Sequence, residues 1–196
     1  MAKRQVPTVL NSSEQSALLA QPNPRYPTGQ RNKTLIQVLL NTGLRLSEAI
    51  HLRWRDIDLT TGRLHVRQGK GSKDRILWLG EEDLETLGKW RQRQAEELDH
   101  VPELVFTTLE GKPLQPRYVQ ALVRRLAKKA GIEKDVSPHT LRHSFATDLL
   151  RETNNLEIVR RALGHANLQT TQIYVHLTDQ DLEAAMRGFR REPVAD

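Results

Sequence analysis

The chain has 196 residues, enough for one domain of ordinary size with a proper hydrophobic core. It contains no cysteine, which excludes disulfides, thiolate-bound zinc and a cysteine nucleophile together. Its 30 lysines and arginines outnumber 24 acidic residues, and a net charge of +6 favours a polyanionic partner, nucleic acid first.

No apolar run approaches the roughly 20 residues of a membrane span. The N-terminus, Met1 to Pro7, is basic but lacks the apolar stretch of a secretion signal, so the chain reads as a cytoplasmic protein. Residues 1–9 read as a loose tail. Asn11, Ser12, Ser13 and Glu14 offer a helix cap before a short apolar stretch to Leu19. Three prolines and a glycine make residues 21–30 a loop. From Thr34 to Leu40 the apolar residues crowd together as in a buried helix, which Gly43 stops. Ser47 and Glu48 begin another short helix, leaving Arg45 in the tight turn between the two.

β structure is predicted next, in three short strands: Asp56 to Leu59, Arg63 to Val66 and Arg75 to Leu79. Lys70 lies in the turn before the third. The rest is helical. Glu81 to Leu98 is amphipathic, Glu103 to Thr108 is a short extended piece, and Arg117 to Ala130 is a helix closed by Gly131. Ser137 and Pro138 start a helix through Leu150, with the cap followed by proline at the first helical position. Leu156 to Leu163 is ended by Gly164, and two more helices are expected at Thr171 to His176 and Asp179 to Phe189.

Four segments carry groups able to bind phosphate or move protons. They are Thr42 to Glu48 around Arg45, Gly69 to Lys73 around Lys70, Pro138 to His143, and Leu163 to His165 with Tyr174 nine residues on. His139 and Arg142 are three apart, so on a helix they share a face near its N-terminus, where free N–H groups and the dipole favour a phosphate. Taken singly, each has a plain structural reading: a capped surface helix, a cap glycine with a loop histidine, a half-buried tyrosine, a solvated turn lysine. His143 reads as a core or cap residue.

Together and in this order, these segments resemble the catalytic domain of the tyrosine recombinase (phage integrase) family, including the Xer recombinases. The matching stretches are Thr-Gly-Leu-Arg-Leu-Ser-Glu, Gly-Lys-Gly-Ser-Lys, His-Thr-Leu-Arg-His-Ser-Phe-Ala-Thr and Leu-Gly-His-Ala-Asn-Leu-Gln-Thr-Thr-Gln-Ile-Tyr. The resemblance runs from about Leu10 to about Phe189. It implies an α+β fold, mainly helical with a small three-stranded antiparallel sheet. It also implies a catalytic set of Arg45, Lys70, His139, Arg142, His165 and Tyr174, with Glu48 in support of Arg45 or His139.

By the same resemblance Tyr174 attacks a DNA phosphodiester, and no metal, ATP or other cofactor is needed. Double-stranded DNA is the implied partner, with a homo-tetramer on two duplexes and the state off DNA left open. Lys73, Arg75, Arg124, Arg125, Lys128 and Lys129 are candidate contacts to the DNA backbone, although a charge run on a helix is also simply a solvated face. The family's N-terminal helical clamp domain has no room here, so residues 1–196 read as a single catalytic domain, either excised from a longer protein or a naturally short recombinase. Two rivals stay open: topoisomerase-like cutting and resealing without exchange, and a non-catalytic DNA-binding regulator.

Overall fold

The computed structural model describes residues 7–67, 74–165 and 171. Among them are seven α-helices and a two-stranded sheet: α1 (Ser12–Leu19), α2 (Pro27–Thr42), α3 (Leu46–Ile50), β1 (Arg63–Val66), β2 (Arg75–Trp78), α4 (Glu81–Leu98), α5 (Pro116–Lys129), α6 (Pro138–Thr153) and α7 (Leu156–Leu163). None of the described helices is long and apolar enough to cross a membrane.

α2 is the centre of the fold. Leu35, Ile36, Val38, Leu39 and Leu40 are all buried, and the helix packs against α1, α4 and α6. So broad an apolar face needs partners on several sides, and the buried Gln37 among these residues is satisfied by Asp83 at 2.9 Å. It also starts earlier than predicted. Of the expected loop 21–30, the last four residues are helical, because Pro27 enters the first turn, where its fixed φ suits the helix and its missing N–H has no partner to lose. Its C-terminus is Gly43 in the left-handed region, φ 60°. A second, smaller apolar cluster holds α6 to α7 through Ala146, Leu150, Val159 and Leu163.

The sheet has two strands, not the predicted three. β1 and β2 pair antiparallel with Leu64 opposite Leu77 and Val66 opposite Arg75. The expected strand 56–59 is a 3-10 turn over Trp54–Asp56 followed by a single bridge, Ile57 to Leu64. Asp58 is the reason. Its carboxylate accepts from the Thr60 and Thr61 amides (2.9 and 3.2 Å) and from the Thr61 hydroxyl (2.7 Å). A side chain that captures the next amides bends the chain instead of extending it.

The extended piece near 103–108 pairs elsewhere. Trp54 donates its amide to Glu103 (3.0 Å), and Val105 donates to Leu52 (2.8 Å). α6 begins where Ser137 and Pro138 predicted and ends at Thr153, three residues later than expected, with Asn154 left-handed at φ 48°. The turn expected over Gly69 to Asp74 and the helices expected over Thr171 to His176 and Asp179 to Phe189 lie, apart from Asp74 and Thr171, outside the described residues.

Candidate active site

Three chain segments converge on one point: the α2–α3 corner, the first turns of α6 and the C-terminus of α7. The corner is built by sequence. Gly43 reverses the chain in the left-handed region, and the ring of Phe145 would lie 2.3 Å from any Cβ placed there. Arg45 then takes an extended conformation as the N-cap of α3. Glu48, three residues on, reaches back to accept from the Arg45 amide at 2.7 Å. The same carboxylate accepts from Arg45 Nη1 at 2.9 Å, and the Arg45 side chain remains 38% exposed beside it.

Arg142 projects from the first turns of α6 and is only 6% exposed. It donates to the Gly43 carbonyl and, at 2.7 Å, to the Leu163 carbonyl. It thereby ties the corner before Arg45 to the end of α7. Gly164 closes α7 at φ 65° and turns His165 back toward the same arginine. Arg142 Nη2 lies 3.3 Å from His165 Nε2, and Thr171 Oγ1 lies 3.1 Å from Nδ1. A guanidinium only donates, so Nε2 accepts and the proton of the neutral ring sits on Nδ1, directed at the threonine.

Burial, then the charges of Arg142, Arg45, Arg75 and His143, push the His165 imidazolium down to about 4. A second partly buried histidine, His143, is pushed down by burial and by its neighbours His139 and Arg142. Positive charge therefore gathers at this point. His139 stands exposed on the first turn of α6, one helical turn from His143.

Arg75, predicted to touch the DNA backbone, turns inward. Its side chain is 7% exposed. Its two terminal nitrogens each donate at 2.8 Å to Glu48, and Nε donates at 2.7 Å to the Ala162 carbonyl. Sequence reasoning missed this placement, although a signal was there: in a strand, Arg75 shares a face with Leu77, whose side chain is core. Burial alone would raise the Glu48 carboxyl, but the hydrogen bonds and charge of Arg75, with help from Arg45, bring it down to about 2. Thr171, fully buried against His165, was also missed, and no local pattern announced it.

Of the remaining predicted residues, Arg124, Arg125, Lys128 and Lys129 lie exposed on α5, whose buried face is Val119, Leu122, Val123, Leu126 and Ala127. Arg124 has Asp135 3.7 Å away. Lys70, Lys73 and Tyr174 fall outside the described residues. Beside Arg45 a cleft of about 580 Å³ opens, lined among others by Arg53, Arg55 and Arg67. Among the described residues no group of three His, Asp or Glu could hold a metal ion.

The described residues thus combine helices with a small antiparallel sheet and gather arginines and a histidine at one point. Residues 8–181 match the model of the phage integrase family, and the chain belongs to that family. It is 40% identical over its whole length to the tyrosine recombinase XerC of Xanthomonas axonopodis pv. citri (strain 306), of which it spans 64%. Among solved structures it is similar to that of the XerA recombinase, with a TM-score of 0.83, 33% identity, and coverage of 97% of this chain and 68% of that one. The XerH site-specific recombinase bound to a palindromic difH substrate, a post-cleavage complex, gives a TM-score of 0.80 at 34% identity, covering 93% of this chain and 53% of that one. The chain thus spans a little under two thirds of the curated relative and about half of the DNA-bound one.

Proposed function

We propose that the chain carries the chemistry of a site-specific tyrosine recombinase acting on double-stranded DNA. The observation that supports it most is the meeting of Arg45, Arg142 and His165 at one electropositive point, which an attacked phosphodiester would complete. Tyr174 is only three residues past Thr171, the partner of His165.

In this reading the Tyr174 hydroxyl attacks phosphorus in line. The bond from phosphorus to the 5′-oxygen breaks, leaving a 3′-phosphotyrosine and a 5′-hydroxyl. The tyrosine proton leaves by way of His139 or water, and Lys70 protonates the departing 5′-oxygen. A phenol has a pKa near 10, so a positive site is needed to make its attack feasible at neutral pH. Arg45 and Arg142 hold the non-bridging oxygens, whose charge grows in the transition state, where preorganised donors lower the barrier most. His165 adds a hydrogen bond by shifting its proton to Nε2, which then donates to the phosphate while Nδ1 accepts from the Thr171 hydroxyl. Arginines supply the positive charge that metal ions give other nucleases. Religation by a strand of a second duplex gives exchange, in a tetramer of this chain on two duplexes at the nucleoid. In this reading the exposed arginines and lysines of α5 and the arginines of the cleft beside Arg45 follow the DNA backbone.

The test is covalent capture in EDTA on a pool of nicked duplexes with randomised arms, with Tyr174→Phe alongside. A denaturant-resistant adduct in the unaltered chain and none in Tyr174→Phe is the expected outcome. An adduct that survives in Tyr174→Phe would overturn the assignment of the nucleophile.

A further inference from the structure

Glu48 and the C-terminal carbonyls of α7 share a partner that the reaction does not touch. The last carbonyls of a helix have no partner within it. In α7, Arg160 accepts from the His165 amide (3.1 Å) and Arg161 from the Gly164 amide (3.1 Å). The next two are met by guanidinium groups from distant elements: Ala162 by Arg75 of β2 (2.7 Å) and Leu163 by Arg142 of α6 (2.7 Å). Cations suit that end of a helix. His165 follows two residues later.

The other side of Arg75 fills Glu48. The carboxylate has about four acceptor positions. Arg75 takes two, and the Arg45 amide and Arg45 Nη1 take the rest. Arg45 is long and partly exposed, so a fixed carboxylate is what holds its guanidinium in one place. That carboxylate is fixed by Arg75.

We infer that Arg75 is a positioning residue for strand cleavage: through Glu48 it aims Arg45, and through Ala162 it sets the end of α7 from which His165 projects. The role rests on the recombinase reading and adds a residue to it. Arg75 itself touches no DNA. It also joins β2 to the groups that hold the phosphate in that reading. A displacement of an active-site group by about 1 Å costs about 100-fold in rate.

The experiment is single-turnover cleavage of the captured duplex by the full chain. The variants are Arg75→Met, Arg75→Lys, Glu48→Gln and the double variant Arg75→Met with Glu48→Gln. The double variant leaves no lone carboxylate buried, so it folds even where Arg75→Met does not. DNA affinity and cleavage rate are measured separately, on an ordinary scissile phosphate and on one with a neutral methyl in place of a charged oxygen. Expected are a cleavage rate about 100-fold lower in Arg75→Met at unchanged affinity, and partial recovery in Arg75→Lys. The double variant should be no slower than the slower single one, since both act on Arg45. On the neutral phosphate, which gives Arg45 no extra charge to hold, the defect should shrink. A loss that follows DNA affinity, additive single defects, or an equal defect on the neutral phosphate overturns the role of Arg75. Failure of the unaltered chain to cleave any duplex overturns the recombinase reading, and this role with it.

Discussion

Arg142 joins two backbone carbonyls, Gly43 and Leu163, that lie 99 and 21 residues away in sequence. Its removal has two separable costs. The buried carbonyls lose their donor, at about 1–3 kcal/mol apiece, and in the proposed reaction the phosphate loses a transition-state contact, worth about 100- to 1,000-fold in rate. Arg142→Ala should therefore lower both the urea midpoint and the cleavage rate. Cleavage at a normal rate would remove Arg142 from the phosphate. Glu48 makes a prediction in pH. Its folded-state carboxyl lies at about 2, below the ordinary 4.5, so its contribution is fully present above the ordinary value and is lost as pH falls from about 4.5 toward 2. The shift corresponds to roughly 3 kcal/mol. Urea midpoints measured at several pH values should fall through that window in the unaltered chain. Glu48→Gln should be less stable at neutral pH and lack that component of the fall; an identical acid profile would place the carboxyl's effect elsewhere.

The corner between α2 and α3 is the element on which the site hangs. Gly43 combines a left-handed backbone with the Phe145 ring against its α-carbon, and its carbonyl is the anchor of Arg142. Ala at this position pays for both the backbone and the clash. Gly43→Ala should cost more than about 1 kcal/mol from φ alone, with overpacking adding about 1–3 kcal/mol. The urea midpoint should fall at unchanged slope, and cleavage should slow as the carbonyl shifts from Arg142. A midpoint within error of the parent would mean that Phe145 swings aside freely. α7 shows the same economy at its other end, where the Asn155 side chain accepts from the Glu157 and Ile158 amides (3.0 and 3.2 Å). A helix of eight residues needs both its caps, since so short a segment is not stable by itself.

At the level of the full chain, a positive excess becomes a salt dependence. Each phosphate neutralised releases counterions, so the logarithm of the DNA association constant falls by about 0.9 per contact for each tenfold rise in salt. Replacing Arg124 and Arg125 together by alanine should reduce that slope by nearly two if both meet phosphates, while leaving the unfolding midpoint almost unchanged, since both are exposed. An unaltered slope would make α5 a solvated face, and the DNA track would then lie along the cleft beside Arg45.

Local chemistry was legible residue by residue. Gly43 and Gly164 announced two helix ends, and Ser137 with Pro138 a start, because caps are settled by the backbone geometry of a few neighbours. The spacing of Arg45, His139, Arg142 and His165 gave the candidate site by its resemblance to a family. The first of the three expected strands was misread because alternation at 56–59 competes with a turn that Asp58 closes through its own side chain. Arg75 was read as a surface cation because charge by itself points outward. Its burial is worthwhile only where Glu48 and the Ala162 carbonyl, 27 and 87 residues away, arrive together to receive it. Caps and turns are fixed by neighbours in the chain, whereas a buried ion pair depends on desolvation balanced against partners that only the folded chain assembles.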